Sequence, residues 1–161
     1  MSGTAPLALT IVQAGGDELD EVMSVIERSF DPRFGEAWTR AQCAGILPMS
    51  GVSLLLARSE DEPVGFSLSR RVADEAELLL IGVVPEARGR GIAGALVDRF
   101  VADSRAAGSS HLHLEVRDGN PAVSLYRQHQ FGVAGRRSKY YRGPGGELFD
   151  ALTMVYTVEP Q

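Results

Sequence analysis

The sequence predicts an α/β fold: one domain with a central mixed β-sheet of about seven strands, flanked by about four helices. Three observations predict it. The chain has 161 residues, which is the usual size of one domain, so we expect a single domain over 1–161. Short apolar runs typical of strands alternate with segments whose apolar residues recur every three or four positions, as in helices. The most apolar run, residues 76–84 (AELLLIGVV), lies near the middle of the chain and predicts a central strand.

The elements predicted before this central strand are a strand over residues 8–13, a helix opening at Gly15-Gly16-Asp17, a shorter helix over about 36–44, and a hairpin of strands 52–58 and 64–72. The first helix has an apolar face formed by Leu19, Val22, Met23, Ile26 and Phe30. Asp17 is its predicted N-cap, because a short carboxylate side chain can accept hydrogen bonds from the first free N–H groups. Asp31-Pro32 interrupts the helical pattern.

The elements predicted after the central strand are a helix from Ile92 to near Gly108, a strand over 111–116, a helix from Pro121 to about Gln128, and closing strands over 131–137 and 148–158. In the strand HLHLEV, strict alternation places the histidines and Glu115 on the face opposite the two leucines. The closing strands flank the glycine-rich turn GPGG.

Charge and composition exclude several classes of function. The net charge of −5 disfavours a protein that binds nucleic acid through its phosphate backbone. No apolar run approaches the roughly 20 residues that span a bilayer, so we expect no membrane partner. The single cysteine, Cys43, permits no internal disulfide and fits a reducing compartment. We therefore expect a cytoplasmic protein, as a monomer or weak homodimer. His111 and His113 share a strand face but lack further ligands at suitable spacing, so we predict no metal.

The stretch VVPEARGRGIAGALVDRF, residues 83–100, predicts an anion site. A helix N-terminus carries free N–H groups and a partial positive charge, and glycines before it let the main chain approach a ligand closely. Arg88 and Arg90 add positive charge, and Gly82 indicates a bulge or a close backbone approach in the preceding strand. On spacing alone, a tight turn with solvated arginines fits equally well.

The same stretch also contains G-x-G-x-x-G at Gly89, Gly91 and Gly94, the glycine pattern of dinucleotide-binding folds. In those folds the pattern follows the first strand of a βαβ unit. Here it follows the fourth predicted strand, and the segments before that strand form hairpins. The position therefore argues against a dinucleotide site.

The six residues Arg88-Gly89-Arg90-Gly91-Ile92-Ala93 match the R/Q-x-x-G-x-G/A signature of the GNAT N-acetyltransferases. Three longer blocks, IGVVPEARGRGIAGALV, HLHLEVRDGNPAVSLY and RRSKYYRGPGGELFDALTM, resemble the RimI-like branch of that family in the same order, and SFDPRFGEAW resembles its substrate-side region more loosely. The resemblance implies that Arg88 to Ala93 cradle the pyrophosphate of acetyl-CoA, the co-substrate. In that branch the acceptor is the N-terminal alanine of a small-subunit ribosomal protein.

Transfer of an acetyl group to an amine requires a base, a donor to the thioester oxygen and a proton for the departing thiolate. We predict Glu115 as the base, the role that the resemblance also implies for the glutamate of L-E-V-R, with Glu77 as the rival. Tyr126 is the predicted acid, because its hydroxyl can donate while its ring packs among apolar neighbours. The oxygen donor is predicted to be a backbone N–H of the Ile81-Gly82-Val83 segment, whose edge would also pair with the pantetheine amides.

The resemblance implies roles for further residues. Asn120 corresponds to a cofactor-contacting asparagine, although it lies six positions before Tyr126, one fewer than is usual in the family. Tyr140 and Tyr141 resemble the tyrosine pair that holds the backbone of the acceptor peptide. Phe34, together with Trp38, is a candidate wall of the acceptor pocket, with a place in the core as the alternative.

Two alternatives to a protein acceptor remain open at the level of sequence. The acceptor could be a small-molecule amine, since net charge does not separate the two; the paired tyrosines and the block FDALTM favour a peptide. Alternatively, the chain could be a non-catalytic module that binds acyl-CoA and has kept the fold. Binding of acetyl-CoA does not separate this module from an enzyme, whereas turnover does.

Overall fold

The computed structural model describes residues 8–157, which contain seven strands and four α-helices joined by loops and short 3₁₀ turns. The strands are β1 (Leu9–Ala14), β2 (Val52–Ser59), β3 (Glu62–Val72), β4 (Glu75–Val83), β5 (His111–Arg117), β6 (Phe131–Arg142) and β7 (Leu148–Tyr156). The helices are α1 (Leu19–Ser29), α2 (Arg40–Ile46), α3 (Ile92–Ala106) and α4 (Ala122–Gln128). The α/β class and the predicted order of elements are confirmed. Residue 158, the last of the final predicted strand, lies outside the described residues.

The sheet has the order β1-β2-β3-β4-β5-β7-β6 and is mixed, as predicted. Neighbouring strands are antiparallel except β4 and β5, which run parallel and pair only from Glu75 opposite His111 to Leu78 opposite Leu114. Beyond these residues the two strands separate. A β-bulge contributes to the separation, because Leu80 lies opposite Leu68 while Leu78 lies opposite Ser69, which leaves Leu79 without a partner on β3. The result is a cleft between the carboxyl halves of β4 and β5.

Of the two roles that its position suggested, a bulge or a close approach, Gly82 has the second. The bulge is at Leu79, and Gly82 instead lies at a close approach between elements. A Cβ atom at Gly82 would lie 2.8 Å from the hydroxyl oxygen of Ser29 and 3.0 Å from the ring of Phe66. Glycine therefore allows the end of α1 to pack directly on β4.

The start of α1 differs from the prediction, and Asp17 is not its N-cap. Residues Gly16–Glu18 form a 3₁₀ turn that precedes the α-helix, so Asp17 lies inside the turn. The side chain of Glu18 reaches back instead, and its Oε2 accepts a hydrogen bond of 3.1 Å from the N–H of Gly15. The side-chain hydrogen bond at this helix start is thus made by Glu18 to a preceding N–H, and not by Asp17 to the N–H groups that follow it.

The second helix begins at Arg40 and not near Glu36 as predicted. Thr39 and Gln42 form a capping box: Thr39 Oγ1 accepts from the N–H of Gln42 at 3.2 Å, and Gln42 Oε1 accepts from the N–H of Thr39 at 2.8 Å. This reciprocal pair fixes the start of the helix. Residues 35–39 therefore lie outside the helix and are free to line the cleft.

β6 is longer than the predicted 131–137, because pairing with β7 resumes after an irregular stretch. Arg137 lies opposite Ala151, and regular pairing returns where Tyr141 lies opposite Phe149. Lys139 between them has a φ of +55°, in the left-handed region. This kink places the tyrosines of the C-terminal hairpin beside the cleft.

Helices cover the sheet on both faces. Five consecutive residues of β3, 64–68, are all buried, and successive side chains of a strand point to opposite faces. One apolar cluster joins α1 and α3 to β2, β3 and β4, and it includes Cys43, which is buried and free. A second cluster joins α3 and α4 to β5, β6 and β7. Among the helices of residues 8–157, none is both long and apolar enough to cross a bilayer.

Candidate active site

The cleft between β4 and β5 opens into a cavity of about 520 Å³. It brings together most of the residues that the sequence singled out: Phe34, Glu77, Ile81, Gly82, Val83, Arg88, Ala93, Glu115, Asn120, Tyr126, Tyr140 and Tyr141. Four residues of the glycine-rich signature, 89–92, are not part of its lining. The two candidate bases, the candidate acid and the tyrosine pair thus face one space, although they come from four different elements.

The glycine-rich turn has the backbone conformation that an anion site requires. Gly89 and Gly91 have φ values of +82° and +79°, and a Cβ atom at either position would meet no heavy atom within 4 Å. These positions therefore need glycine for its conformation and not for space. Gly91 is the N-cap of α3, and no side chain in the described part of the structure caps this helix. Its first N–H groups are free for a ligand.

The remaining residues of the signature contribute unequally. The Ile92 side chain is 3% exposed and packs in the core, so only its backbone faces the turn. Arg88 donates from Nε to the carbonyl of Val83 at 3.1 Å and from Nη2 to the carbonyl of Ser29 at 2.9 Å. Arg88 thus connects the end of α1 to the end of β4, and both Arg88 and Arg90 are exposed. Direct contact of either guanidinium with a phosphate stays a prediction.

Glu115 projects into the cavity from β5 with a side chain that is only 7% exposed. Its Oε2 accepts a hydrogen bond of 2.7 Å from the hydroxyl of Thr153, which lies directly opposite on β7. Its Oε1 is 3.1 Å from Nε of Arg137 on β6. A hydroxyl donor and a guanidinium both stabilise the charged carboxylate, which is the form that accepts a proton.

Glu77 lies beside Glu115 in the same cavity but in a different environment. Its side chain is 36% exposed, and its Oε1 lies 3.8 Å from Nε2 of His113 on the neighbouring strand. Both carboxylates therefore line the cavity, and the choice between them as base stays open. No three His, Cys, Asp or Glu side chains converge as a possible metal site within residues 8–157.

Tyr126 lies on α4, 5% exposed, with its ring edge-on to Phe131 at a centroid distance of 6.2 Å. Burial raises the pKa of Tyr126 above its ordinary value, and the nearby carboxylate of Glu36 raises it further. The phenol is therefore protonated at neutral pH and can act as a donor into the cavity that it lines.

The two adjacent tyrosines of β6 occupy different positions. Tyr140 is 47% exposed at the mouth of the cavity, whereas Tyr141 is half-buried and donates its hydroxyl to the backbone carbonyl of Glu115 at 3.3 Å. Their rings are nearly perpendicular, with centroids 4.9 Å apart. Burial raises the pKa of both phenols, so each keeps its proton at neutral pH. Tyr141 forms the inner wall of the mouth and Tyr140 its outer edge.

A charged network that the sequence did not reveal closes the opposite wall. Glu36 accepts from Nε of Arg117 at 2.9 Å and from Nδ2 of Asn120 at 3.0 Å. The side chains of Glu36 and Arg117 are only 12% and 11% exposed. Asn120 is held at both ends, since its Oδ1 also accepts from the N–H of Ala122 at 2.9 Å. Contact of Asn120 with a cofactor stays a prediction.

Phe34 belongs to this wall and lines the cavity. The Arg117 guanidinium lies 3.6 Å from the centre of the Phe34 ring, and the ring of Phe149 packs edge-on against Phe34 at a centroid distance of 5.2 Å. Glu36 was missed because the sequence placed it at the start of a helix. Its partner Arg117 is 81 residues away, so no local pattern joins them. The sequence feature that could have revealed it is the T-x-x-Q capping box, which predicts a helix start after Thr39 and leaves residues 35–39 outside the helix.

Comparison with known proteins agrees with this geometry. Residues 19–132 match the model of the acetyltransferase (GNAT) family. The [ribosomal protein bS18]-alanine N-acetyltransferase of Haemophilus influenzae is 33% identical over 92 residues, which is 57% of this chain and 63% of that protein. The enzyme of the same name from Haemophilus ducreyi is 28% identical over 142 residues, 81% of this chain and 98% of that protein.

Among solved structures, the ribosomal-protein-S18-alanine N-acetyltransferase of Escherichia coli superimposes with a TM-score of 0.83. The match covers 96% of both chains at 24% identity, and thus supports the fold. The family model spans well over half of the 161 residues and includes the glycine-rich turn, Glu115 and Tyr126. The chain therefore belongs to the GNAT family of acetyltransferases.

Proposed function

We propose that this protein transfers the acetyl group of acetyl-CoA to the free N-terminal α-amine of a protein, with an N-terminal alanine of a ribosomal protein as the first candidate. Its sequence relatives are named as alanine N-acetyltransferases that act on ribosomal protein bS18. The observation that carries the proposal is the shared cavity, in which the buried Glu115 and Tyr126 face the tyrosine pair. The free, buried Cys43 fits a reducing compartment, and we place the reaction in the cytoplasm.

The residues present fit acetyl-CoA, which is the co-substrate of the family and supplies an activated thioester. The positive-φ glycines and the uncapped start of α3 offer N–H groups to a diphosphate. The segment of β4 from Leu79 to Val83 has left its partner β5, so its backbone groups on that side are available to amides. Both features lie at the same end of the cleft.

The chain's own groups then meet the needs of amine acetylation. An α-amine has a pKa near ~7.7–8.0, so a large share of it is protonated at neutral pH and must lose a proton before it attacks. Glu115 accepts this proton, directly or through water, from a site shielded from bulk solvent. Glu77, on the same cavity wall, is the alternative acceptor of the proton.

Donors at the other side of the cavity complete the chemistry. A backbone N–H in the Ile81–Val83 segment stabilises the negative charge that develops on the carbonyl oxygen. The phenol of Tyr126 donates a hydrogen bond to the leaving sulfur. It can do so because its raised pKa keeps it protonated at neutral pH.

A peptide acceptor is favoured over a small amine because of the shape of the mouth. Tyr140 and Tyr141 extend the cavity outward along β6, and Phe34 lines the wall formed by residues from before α2. A chain lying between these aromatic side chains would bury several residues beyond its reacting amine. A small amine would leave this surface unused.

Intact-mass analysis tests the proposal. Peptides with free N-terminal alanine, serine or methionine, their N-terminally blocked forms, and simple primary amines are incubated with acetyl-CoA and the protein. We expect a gain of one acetyl group on free peptides, on the α-amine, and none on blocked ones. Turnover of simple amines alone would overturn the peptide assignment. Binding of acetyl-CoA without any turnover would instead support a non-catalytic module.

A further inference from the structure

We propose that Arg137 forms an ion pair with the carboxylate of Glu115 in the free protein and is displaced by the incoming amine. Arg137 thereby sets the affinity for the acceptor. The inference rests on the proposed function, because it takes Glu115 as the group that meets the amine. It concerns acceptor binding and involves no covalent step of its own. Arg137 is thus a specificity-determining residue and not a catalytic one.

The sheet places Arg137 on the same face as Glu115, two strands away. Glu115 on β5 lies opposite Thr153 on β7, and Thr153 lies opposite Gly135 on β6. Side chains two positions apart on a strand share a face, so Arg137 follows Gly135 on that face. Arg137 reaches across β7 to place its Nε 3.1 Å from Oε1 of Glu115, while Thr153 holds Oε2.

The two members of this ion pair differ sharply in exposure. The Glu115 side chain is 7% exposed and the Arg137 side chain is 62% exposed. A nearly buried carboxylate needs a cation or donors to remain charged, whereas an exposed guanidinium regains full hydration when it leaves. Because the Arg137 guanidinium is mostly solvated, its release costs little, and another cation can take its place beside Glu115.

An incoming N-terminal ammonium has the chemistry needed for this exchange. It carries one positive charge and N–H donors, as does the guanidinium that it replaces. Arg137 has a second neighbour at the mouth, since its guanidinium carbon lies 5.8 Å from the centre of the Tyr140 ring. A guanidinium released from Glu115 can therefore remain beside this exposed ring while the amine occupies the carboxylate.

The arrangement predicts selection for cationic amines. A blocked N-terminus has no charge with which to displace Arg137, and it leaves the ion pair intact. Competition by Arg137 weakens the apparent affinity of every cationic acceptor by the free energy of the ion pair. The benefit is that the Glu115 carboxylate has a cationic partner when no substrate is bound.

The neighbouring Arg136 provides a matched control. It lies on the opposite face of β6, with Nη1 at 2.7 Å from Asp118 and 3.0 Å from Asp150, and it takes no part in the cavity. The test compares Arg137→Gln, Arg137→Lys and Arg136→Gln by steady-state kinetics. The acceptors are a free-amine alanyl hexapeptide and a primary alkylamine. Values of kcat and of KM for acceptor and for acetyl-CoA are measured separately.

For Arg137→Gln we expect the acceptor KM to fall by about threefold to fivefold, because the mostly solvated guanidinium competes only weakly for Glu115, with the KM for acetyl-CoA unchanged. Arg137→Lys should retain most of the competition, and Arg136→Gln should leave both KM values unchanged. A merely structural role would reduce the active fraction and hence kcat, but not lower one KM alone.

The outcomes separate this inference from the proposed function. If the wild-type protein acetylates the peptide and Arg137→Gln leaves its KM unchanged or raises it, displacement is refuted while the proposed function stands. Turnover of the alkylamine but not the peptide would refute the peptide acceptor, and the same comparison of KM with the alkylamine would then decide the inference. Turnover of neither would overturn both.

Discussion

The two ends of the cavity are built in different ways. The end formed by the edge of β4 and by Arg88 and Ala93, which flank the glycine-rich turn, lies within one continuous stretch, residues 79–93. We call it the donor end. The opposite end, the acceptor end, combines side chains from three distant segments, 34–38, 115–120 and 140–141, and Arg137 joins it through its ion pair with Glu115. The donor end therefore depends mainly on local conformation, and the acceptor end depends on how distant segments pack.

The chemistry of the two ends differs accordingly. The donor end offers backbone N–H groups, and glycine at two positive-φ positions allows that backbone shape. The acceptor end offers charged side chains held by one another, as in the pairs Glu36–Arg117 and Glu115–Arg137. Substitutions that remove a charge at the acceptor end should consequently have larger effects than those that perturb the backbone at the donor end.

The largest effect is expected for Glu115→Gln. If Glu115 accepts the proton of the amine, kcat/KM should fall by roughly 10²–10⁴-fold, because the amide keeps the shape of the side chain but cannot act as a base. Glu77→Gln provides the matched comparison, since the second carboxylate lines the same cavity. Loss of activity in Glu77→Gln with little change in Glu115→Gln would reverse the assignment. Initial rates with a free-amine peptide measure both.

Glu36→Gln should give the largest loss of stability. The substitution leaves the mostly buried Arg117 without its charge partner, and we expect the free energy of unfolding to fall by about 2–3 kcal/mol, measured by urea denaturation. The acceptor KM should rise as well, because the wall that contains Phe34 is no longer held. A loss as small as that of an exposed ion pair would mean that Arg117 finds another partner.

The pair Glu21–Arg58 is the control for this prediction, because its side chains are 34% and 26% exposed and lie away from the cavity. Glu21→Gln should cost at most ~1 kcal/mol. The hydrogen bond from Arg58 lowers the pKa of Glu21 below its ordinary value. Its contribution is therefore complete above the ordinary carboxyl pKa and is lost as pH falls through the folded value, so the difference between the wild type and Glu21→Gln should vanish in acid.

Tyr126 lies where the two ends of the cavity meet, and Tyr126→Phe should have an intermediate effect on activity. Loss of the donor to the leaving sulfur should lower kcat by about 10- to 100-fold, while the KM for acetyl-CoA changes little, because the ring still packs on Phe131. Tyr156 is the control: its ring also packs on Phe131, at 5.5 Å, but it does not line the cavity between β4 and β5. An unchanged kcat in Tyr126→Phe would remove this phenol from the mechanism.

The sequence predicted the fold and the unusual backbone conformation of the glycine-rich turn, because both depend on local patterns. Apolar runs, helical periodicity and turn residues together located the strands and helices of residues 8–157, and alternation along HLHLEV placed Glu115 on the face opposite Leu112 and Leu114. Errors occurred where a side chain competes locally for a backbone group, as at Glu18 in place of Asp17 and at the Thr39–Gln42 capping box.

The acceptor end could be predicted only in part. Tyr140 and Tyr141 were found through the family resemblance, but the residues that hold the candidate base were not. Thr153 meets Glu115 because β7 inserts between β5 and β6, an order that the succession of strands along the chain does not reveal. Arg137 then reaches the same carboxylate across that inserted strand. Partners of this kind depend on register, which a single sequence leaves open.

The smallest expected effect, Gly91→Ala, tests the donor end. Alanine at a φ of +79° is strained by roughly 1–2 kcal/mol, although its methyl group meets no atom within 4 Å. If the turn relaxes to relieve this strain, the N–H groups at the start of α3 move and the KM for acetyl-CoA should rise by about threefold to tenfold, with the acceptor KM unchanged. Gly145→Ala, in an open turn without positive φ, is the control. Equal KM values for acetyl-CoA in the two variants would show that the turn does not hold the diphosphate.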